Sequence, residues 1–160
     1  MLFGKTLLLL LLPHSIALID LQYLIDNIHN TTIETENSTI LVKIISVISN
    51  KRDAYGLIRA KDAFIPSSVL PFSKGGMTRG DYDRQLSDVL DQLPYNLIVC
   101  AGWMRILTSD FLRKHPLIIN LHPALPGQFP GAHAKEDAYR AFREGRISET
   151  GCMVHWVIPE

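Results

Sequence analysis

The chain has 160 residues, 47% of them hydrophobic and 20% charged, with 16 basic side chains against 16 acidic ones and a formal net charge of zero. That profile fits one compact domain burying roughly 70% of its unfolded surface, and it excludes a largely disordered chain. Zero net charge also removes the long-range attraction that binders of nucleic acid or anionic membranes use, so neither partner is expected.

The first residues, Met1 to Pro13, hold one early lysine and six consecutive leucines. Two expectations compete there: a buried first strand of a parallel sheet, or a secretory leader ending near Ser15 and Ala17. The triplets Asn30-Thr31-Thr32 and Asn37-Ser38-Thr39 are formal glycosylation acceptors that agree with the second. The run is too short to span a bilayer as a helix. Domain organisation is accordingly read as an atypical segment over residues 1–20 followed by one domain over 21–160.

Leu18 to Ile28 places Leu21, Leu24, Ile25 and Ile28 on one helical face. Ile33 to Thr39 is polar and without period, hence a loop, and Leu41 to Ile48 is a β-branched strand. Asp53 is expected to cap a helix through about Ala63, Ser67 to Leu70 is a short strand, and Asp81 is expected to cap a helix through Gln92. Leu97 to Ala101 reads as a buried strand, Thr108 or Ser109 opens a short helix, and Leu117 to Leu121 is a strand stopped by Pro123. Lys135 to Arg143 is helical and Met153 to Ile158 is the last strand. Alternating strands and helices imply right-handed crossovers: an α/β, Rossmann-like, mostly parallel sheet flanked by helices. In such sheets ligands sit beyond the carboxyl ends of the strands.

Two strands end there in unusual segments, Cys100-Ala101-Gly102-Trp103-Met104-Arg105-Ile106-Leu107 and Ile119-Asn120-Leu121-His122-Pro123-Ala124-Leu125-Pro126-Gly127. Asn120 and His122 are two apart on a strand and project to one face. An amide can donate to a developing oxyanion, and an imidazole can move a proton near neutral pH. The prolines and glycines from Pro123 to Gly131 suit a stiff loop whose backbone closely approaches a ligand. Elsewhere the residues carry less. His14, His29, His115 and His155 are expected to be structural or exposed, Lys74-Gly75-Gly76 is a flexible turn, and Cys100 and Cys152 are expected as buried, reduced thiols. No metal-ligand spacing is present.

From about Leu41 to Glu160 the chain resembles the phosphoribosylglycinamide formyltransferases, most closely their fungal form. The pieces that carry the resemblance are Val47-Ile48-Ser49-Asn50 with Ala54-Tyr55-Gly56-Leu57, then CAGWMRIL, NLHPALPG, and Thr150-Gly151-Cys152-Met153-Val154-His155-Trp156. The resemblance implies formyl transfer from 10-formyltetrahydrofolate, a co-substrate, to the amine of glycinamide ribonucleotide, without a metal and in the cytoplasm. It also implies that Asn120 donates to the oxyanion and that His122 polarises the formyl oxygen or assists proton transfer. Met104, Arg105, Ile106 and Leu107 would line the folate pocket, and Gly131 and His133 would stand by the nucleotide. A homo-oligomer is left open.

Two departures from the family pattern shape the expectation for this chain. Where the family has a glycine-serine-asparagine phosphate loop, the sequence reads Ser15-Ile16-Ala17-Leu18-Ile19-Asp20, which is expected to weaken phosphate binding. No aspartate follows Asp137 to orient the histidine, Glu160 being the substitute at hand, so the chain is read as shortened at its carboxyl end and its activity as impaired. The alternatives are an inactive folate-binding or regulatory fragment of the family and a secreted glycoprotein.

Overall fold

The computed structural model describes residues 5–11, 17–36, 38–73 and 75–159. Its elements run β1 (Lys5–Leu11), α1 (Ala17–Asn27), β2 (Thr31–Thr35), β3 (Ser38–Ser49), α2 (Tyr55–Asp62), β4 (Ser67–Val69), α3 (Arg79–Leu90), β5 (Leu97–Ala101), α4 (Ser109–Lys114), β6 (Ile118–His122), α5 (Ala134–Arg143) and β7 (Met153–Trp156). The strands form one sheet in the order β2-β3-β1-β5-β6-β7, with β4 continuing the β2 edge against the far end of β3. Pairs β3–β1, β1–β5, β5–β6 and β3–β4 are parallel, whereas β2 and β7 run antiparallel. The expected α/β architecture is therefore present, with antiparallel strands confined to its margins.

Leu7 to Leu11 of the leucine run lie in β1, at the sheet's centre between β3 and β5. The first-strand expectation thus describes Lys5–Leu11, while Met1 to Gly4 and Leu12 to Ile16, with the end of the proposed leader, lie outside the described residues.

Helices cover both faces, and β5 shows why its sequence is apolar throughout. Ile98 and Cys100 face a core built with Tyr82, Leu86 and Leu90 of α3 and Phe111 and Leu112 of α4. Val99 and Ala101 face the opposite core, with Leu21 of α1 and Ala60 of α2. A strand buried on both faces gains from apolar side chains at every position. Burial pushes the Cys100 thiol up to about 12, so it stays protonated.

Four local expectations need correction. Ile33 to Thr39 is not a loop: β2 pairs with the start of β3 from Thr31↔Val42 to Thr35↔Ser38 in an antiparallel hairpin. All of β2 after Thr31 is exposed, so no apolar period marks it, and its threonines supply the strand preference instead. Helix α2 has Ala54 as its N-cap and no side-chain cap, so Asp53 does not serve there. Asp81 is not the cap of α3 either. Thr78 is, and Asp81 completes a capping box, the Thr78 hydroxyl accepting from the Asp81 N–H while the Asp81 carboxylate accepts from the Thr78 N–H. Cys152 is exposed rather than buried.

Two histidines hold elements together. His29 Nδ1 accepts from the Ile44 N–H at 3.1 Å, just past the point where the β2 ladder ends on Val42. His115, at the end of α4, is buried between Ser87 (Nε2 to Oγ, 2.7 Å) and the Tyr95 hydroxyl on Nδ1.

Candidate functional site

Strands β5 and β6 are parallel neighbours, paired through Cys100↔Asn120, so the segments that leave their carboxyl ends emerge side by side. Between them opens a cavity of about 460 Å³. That volume lies within the range of small-molecule sites. Chain order reverses one strand away: β3, β2 and β4 lie to one side of β1, while β5, β6 and β7 lie to the other. The cavity thus lies next to that reversal and beyond the carboxyl ends of the parallel strands, the edge on which such sheets bind ligands.

Asn120 and His122 lie on β6 with their side chains on one face, and both line the cavity. His122 Nε2 lies 3.0 Å from the carbonyl oxygen of Phe129. A carbonyl only accepts, so Nε2 carries the proton and Nδ1 is left as the basic nitrogen. Phe129 supplies that carbonyl from a backbone with φ of 42°, a region non-glycine residues rarely adopt. Asn120 Nδ2 lies 3.2 Å from His155 Nε2, across the β6–β7 pair.

Met104 and Ile106 form an apolar wall, 48% and 61% exposed. Arg105 lines the cavity as well, but its guanidinium stacks on Phe72 at 3.7 Å and Tyr82 at 4.6 Å from the ring centres. Its Nε is buried without a partner, as is Nε1 of Trp103. Tyr82 itself is pushed up to about 12 by burial, the Arg105 charge opposing and Asp83 adding to the shift.

Gly131 and His133 close the opposite side, where α5 begins. At Gly131 φ is 93° and a Cβ would meet nothing within 4 Å, so the backbone is open to close approach. His133 is the N-cap of α5 but makes no side-chain cap, which leaves the first-turn N–H groups without a side-chain acceptor. The loop before β7 is seated by Gly151, where a Cβ would come within 2.7 Å of Leu125 Cδ2.

Thus seven of the eight residues picked from the sequence meet around one cavity: Met104, Arg105, Ile106, Asn120, His122, Gly131 and His133. Leu107 does not join them. It is buried in the core with Phe111 and Leu112, because the chain turns inward there before Thr108 caps α4. Sequence reasoning missed Trp103, Lys135 and Glu136, which also line the cavity. The last two fall in the first turn of α5, two and three residues past His133, and that nearness was the available signal. Ser15 and Ile16 of the altered phosphate loop lie outside the described residues, while Ala17 to Asp20 form the first turn of α1. Glu160 also lies outside the described residues, and the acceptor on His122 is the Phe129 carbonyl. Among the described residues no group of three or more His, Cys, Asp or Glu side chains is placed to hold a metal ion.

The formyl transferase family model matches residues 18–160. The chain belongs to that family. It is 44% identical over 151 residues to the phosphoribosylglycinamide formyltransferase of Schizosaccharomyces pombe, covering 87% of this chain and 70% of that one. The enzyme of the same name from Dictyostelium discoideum is 43% identical over 154 residues, 88% of this chain and 71% of its own. The crystal structure of phosphoribosylglycinamide formyltransferase from Campylobacter jejuni superposes with a TM-score of 0.82 at 30% identity, spanning 99% of this chain and 77% of that chain. The family match takes in both cavity-forming segments, from Gly102 through Glu136.

Proposed function

We propose that the chain transfers a formyl group from 10-formyltetrahydrofolate to the amine of glycinamide ribonucleotide, a step of purine synthesis, at the cavity between the ends of β5 and β6. Family membership supports the reaction class. The observation that carries the site is the opening of Asn120 and His122 into one cavity, beside an exposed apolar wall.

The co-substrate brings an activated formyl group on a flat, partly apolar pterin. Met104 and Ile106 offer that ring a surface, and burial of their exposed area contributes to holding it. The open backbone at Gly131, with His133 beside it, borders the ribonucleotide. Attack by the amine forms the new C–N bond and pushes electrons onto the formyl oxygen, where the Asn120 amide donates a hydrogen bond. His122, with Nδ1 free to accept, takes a proton from the attacking amine and returns it to the folate nitrogen as the old C–N bond breaks. The Phe129 carbonyl holds the ring tautomer throughout. The imidazolium formed in passing is stabilised by that carbonyl dipole less than by a carboxylate, which sets a slower rate than a histidine–aspartate pair gives.

A cytosolic location is part of the same proposal, since purine synthesis is cytosolic. Among the described residues no helix is long and apolar enough to cross a membrane. The test is folate-dependent formylation of glycinamide ribonucleotide by the purified chain, followed by appearance of the deformylated folate. Turnover that requires both substrates and is lost in Asn120→Ala supports the proposal. No turnover at saturating substrates, or an Asn120→Ala protein as active as the parent, overturns it.

A further inference from the structure

We propose that His155 is a positioning residue that fixes the orientation of the Asn120 amide. The inference rests on the formyl-transfer reading and deepens it by assigning a role to a residue outside the cavity lining.

Asn120 on β6 and His155 on β7 are direct cross-strand partners, and their side chains meet at 3.2 Å between Nδ2 and Nε2. The other ring nitrogen, Nδ1, lies 3.0 Å from the carbonyl oxygen of Trp156. That oxygen can only accept, so Nδ1 carries the hydrogen and Nε2 presents a lone pair. A lone pair at that distance requires a donor. The Asn120 amide must therefore turn its NH2 toward His155, because the flipped amide would set Oδ1 against the same lone pair.

This orientation uses one N–H of Asn120 and leaves the second N–H and Oδ1 for other partners. An asparagine with no such neighbour exchanges its oxygen and nitrogen by a half-turn about its last bond, and in the flipped form it presents an acceptor where a developing oxyanion needs a donor. Holding the donor in place before substrate arrives is the form of electrostatic assistance that costs no reorganisation during reaction. His155 does so without lining the cavity, through a chain that runs from the Trp156 carbonyl to the imidazole to the amide. Second-layer partners of this kind are worth roughly 10–100-fold in activity at metal centres, where they have been measured, and the same geometric reasoning applies to an oxyanion donor.

The experiment compares the parent chain with His155→Leu and His155→Gln in formyl transfer, and reads the ring and amide nitrogens of the parent by nuclear magnetic resonance. Leucine removes the acceptor. Glutamine returns one, since its amide oxygen reaches the place of Nε2. Expected are a kcat lowered roughly 10–100-fold in His155→Leu with both KM values within about twofold, and recovery of most of that loss in His155→Gln. A residue needed only to pair β7 with β6 would show equal loss in both variants, together with a lowered melting temperature. The nitrogen shifts should report the Nδ1–H tautomer of His155 and a hydrogen bond from the Asn120 amide to Nε2. An Nε2–H tautomer, or an active parent whose His155→Leu form keeps its full kcat, overturns the positioning role alone. An inactive parent overturns the formyl-transfer reading and, with it, the catalytic purpose of the positioning.

Discussion

Two cavities flank the carboxyl half of this sheet, and the larger one is the less suited to chemistry. Between α3 and α4 lies a space of about 630 Å³ lined by Asp83, Ser87, Asp88, Thr108 and Lys114 among others, with His115 just behind Ser87. Several of its polar groups are already spent on protein partners. Both nitrogens of His115 are taken, by Ser87 and Tyr95, and Asp83 accepts from the Thr108 N–H at 2.7 Å. Charges at its rim pair locally as Arg84–Asp81, Arg113–Asp110 and Lys114–Asp91. The smaller cavity, at the ends of β5 and β6, is built the opposite way. Asn120 and His122 are each tied down at one atom and open at another. A reactive site needs side chains half-satisfied by the protein, because a fully satisfied one is held as firmly but offers nothing to a substrate.

The sharpest way to break this contrast is to truncate one histidine or its neighbour in each region. Asn120→Ala removes the proposed oxyanion donor and should lower kcat by roughly 10²–10³ while leaving the melting temperature nearly unchanged. His115→Ala should do the reverse. Leaving the buried Ser87 hydroxyl without its partner costs about 1–3 kcal/mol, and the half-buried Tyr95 hydroxyl less because water can reach it, read from urea unfolding, with kcat within about twofold of the parent. If His115→Ala abolished turnover in a protein still folded, or Asn120→Ala unfolded the chain, the division between a structural and a functional cavity would be lost.

Thr78→Ala gives a smaller effect confined to the structural region. It deletes one side of the capping box at the start of α3, whose Tyr82, Leu86 and Leu90 fill the core, and should cost about 1 kcal/mol of stability without altering turnover. Thr78→Ser, which keeps the hydroxyl, should restore it.

The same contrast explains what could be read from the sequence. The continuous apolar run Leu97 to Ala101 and the NLHP turn of β6 advertise a strand buried on both faces and a strand that ends at a cavity, and both are where the pattern places them. Side-chain chemistry of that kind is written in residue types. Backbone chemistry is not. The Phe129 carbonyl that orders His122 and the Trp156 carbonyl that orders His155 belong to every residue alike, so nothing in the letters distinguishes them. His155 looked like one polar member of an alternating strand because its partner Asn120 is 35 positions away and is set opposite it only by β6–β7 register. Caps failed for a related reason: Asp53 and Asp81 are plausible residue types, but which of several neighbouring polar residues becomes the cap depends on where the backbone turns into the helix. Leu107 follows three cavity residues in sequence, yet the step from an open segment into α4 takes it into the core.

The smallest expected effect separates the regions by pH. Burial lowers the His115 pKa below the ordinary 6.5, with Lys114 adding to the shift and Asp91 opposing it. His29 is lowered too, by burial and then by Lys43, and its Nδ1 must stay unprotonated to accept from the Ile44 N–H. In both cases the unfolded chain takes up a proton more readily than the folded one, so stability is complete above 6.5 and declines as pH falls from there through the lowered folded values, where the loss levels off. Carboxylates contribute little in that interval because they titrate below about pH 5. Urea midpoints of the parent should therefore fall on acidification below 6.5. In His29→Asn, whose Oδ1 can stand in for Nδ1 without titrating, the decline should be shallower. A midpoint that rises on acidification, or an equal slope in His29→Asn, would mean that these imidazoles are not held neutral by the fold.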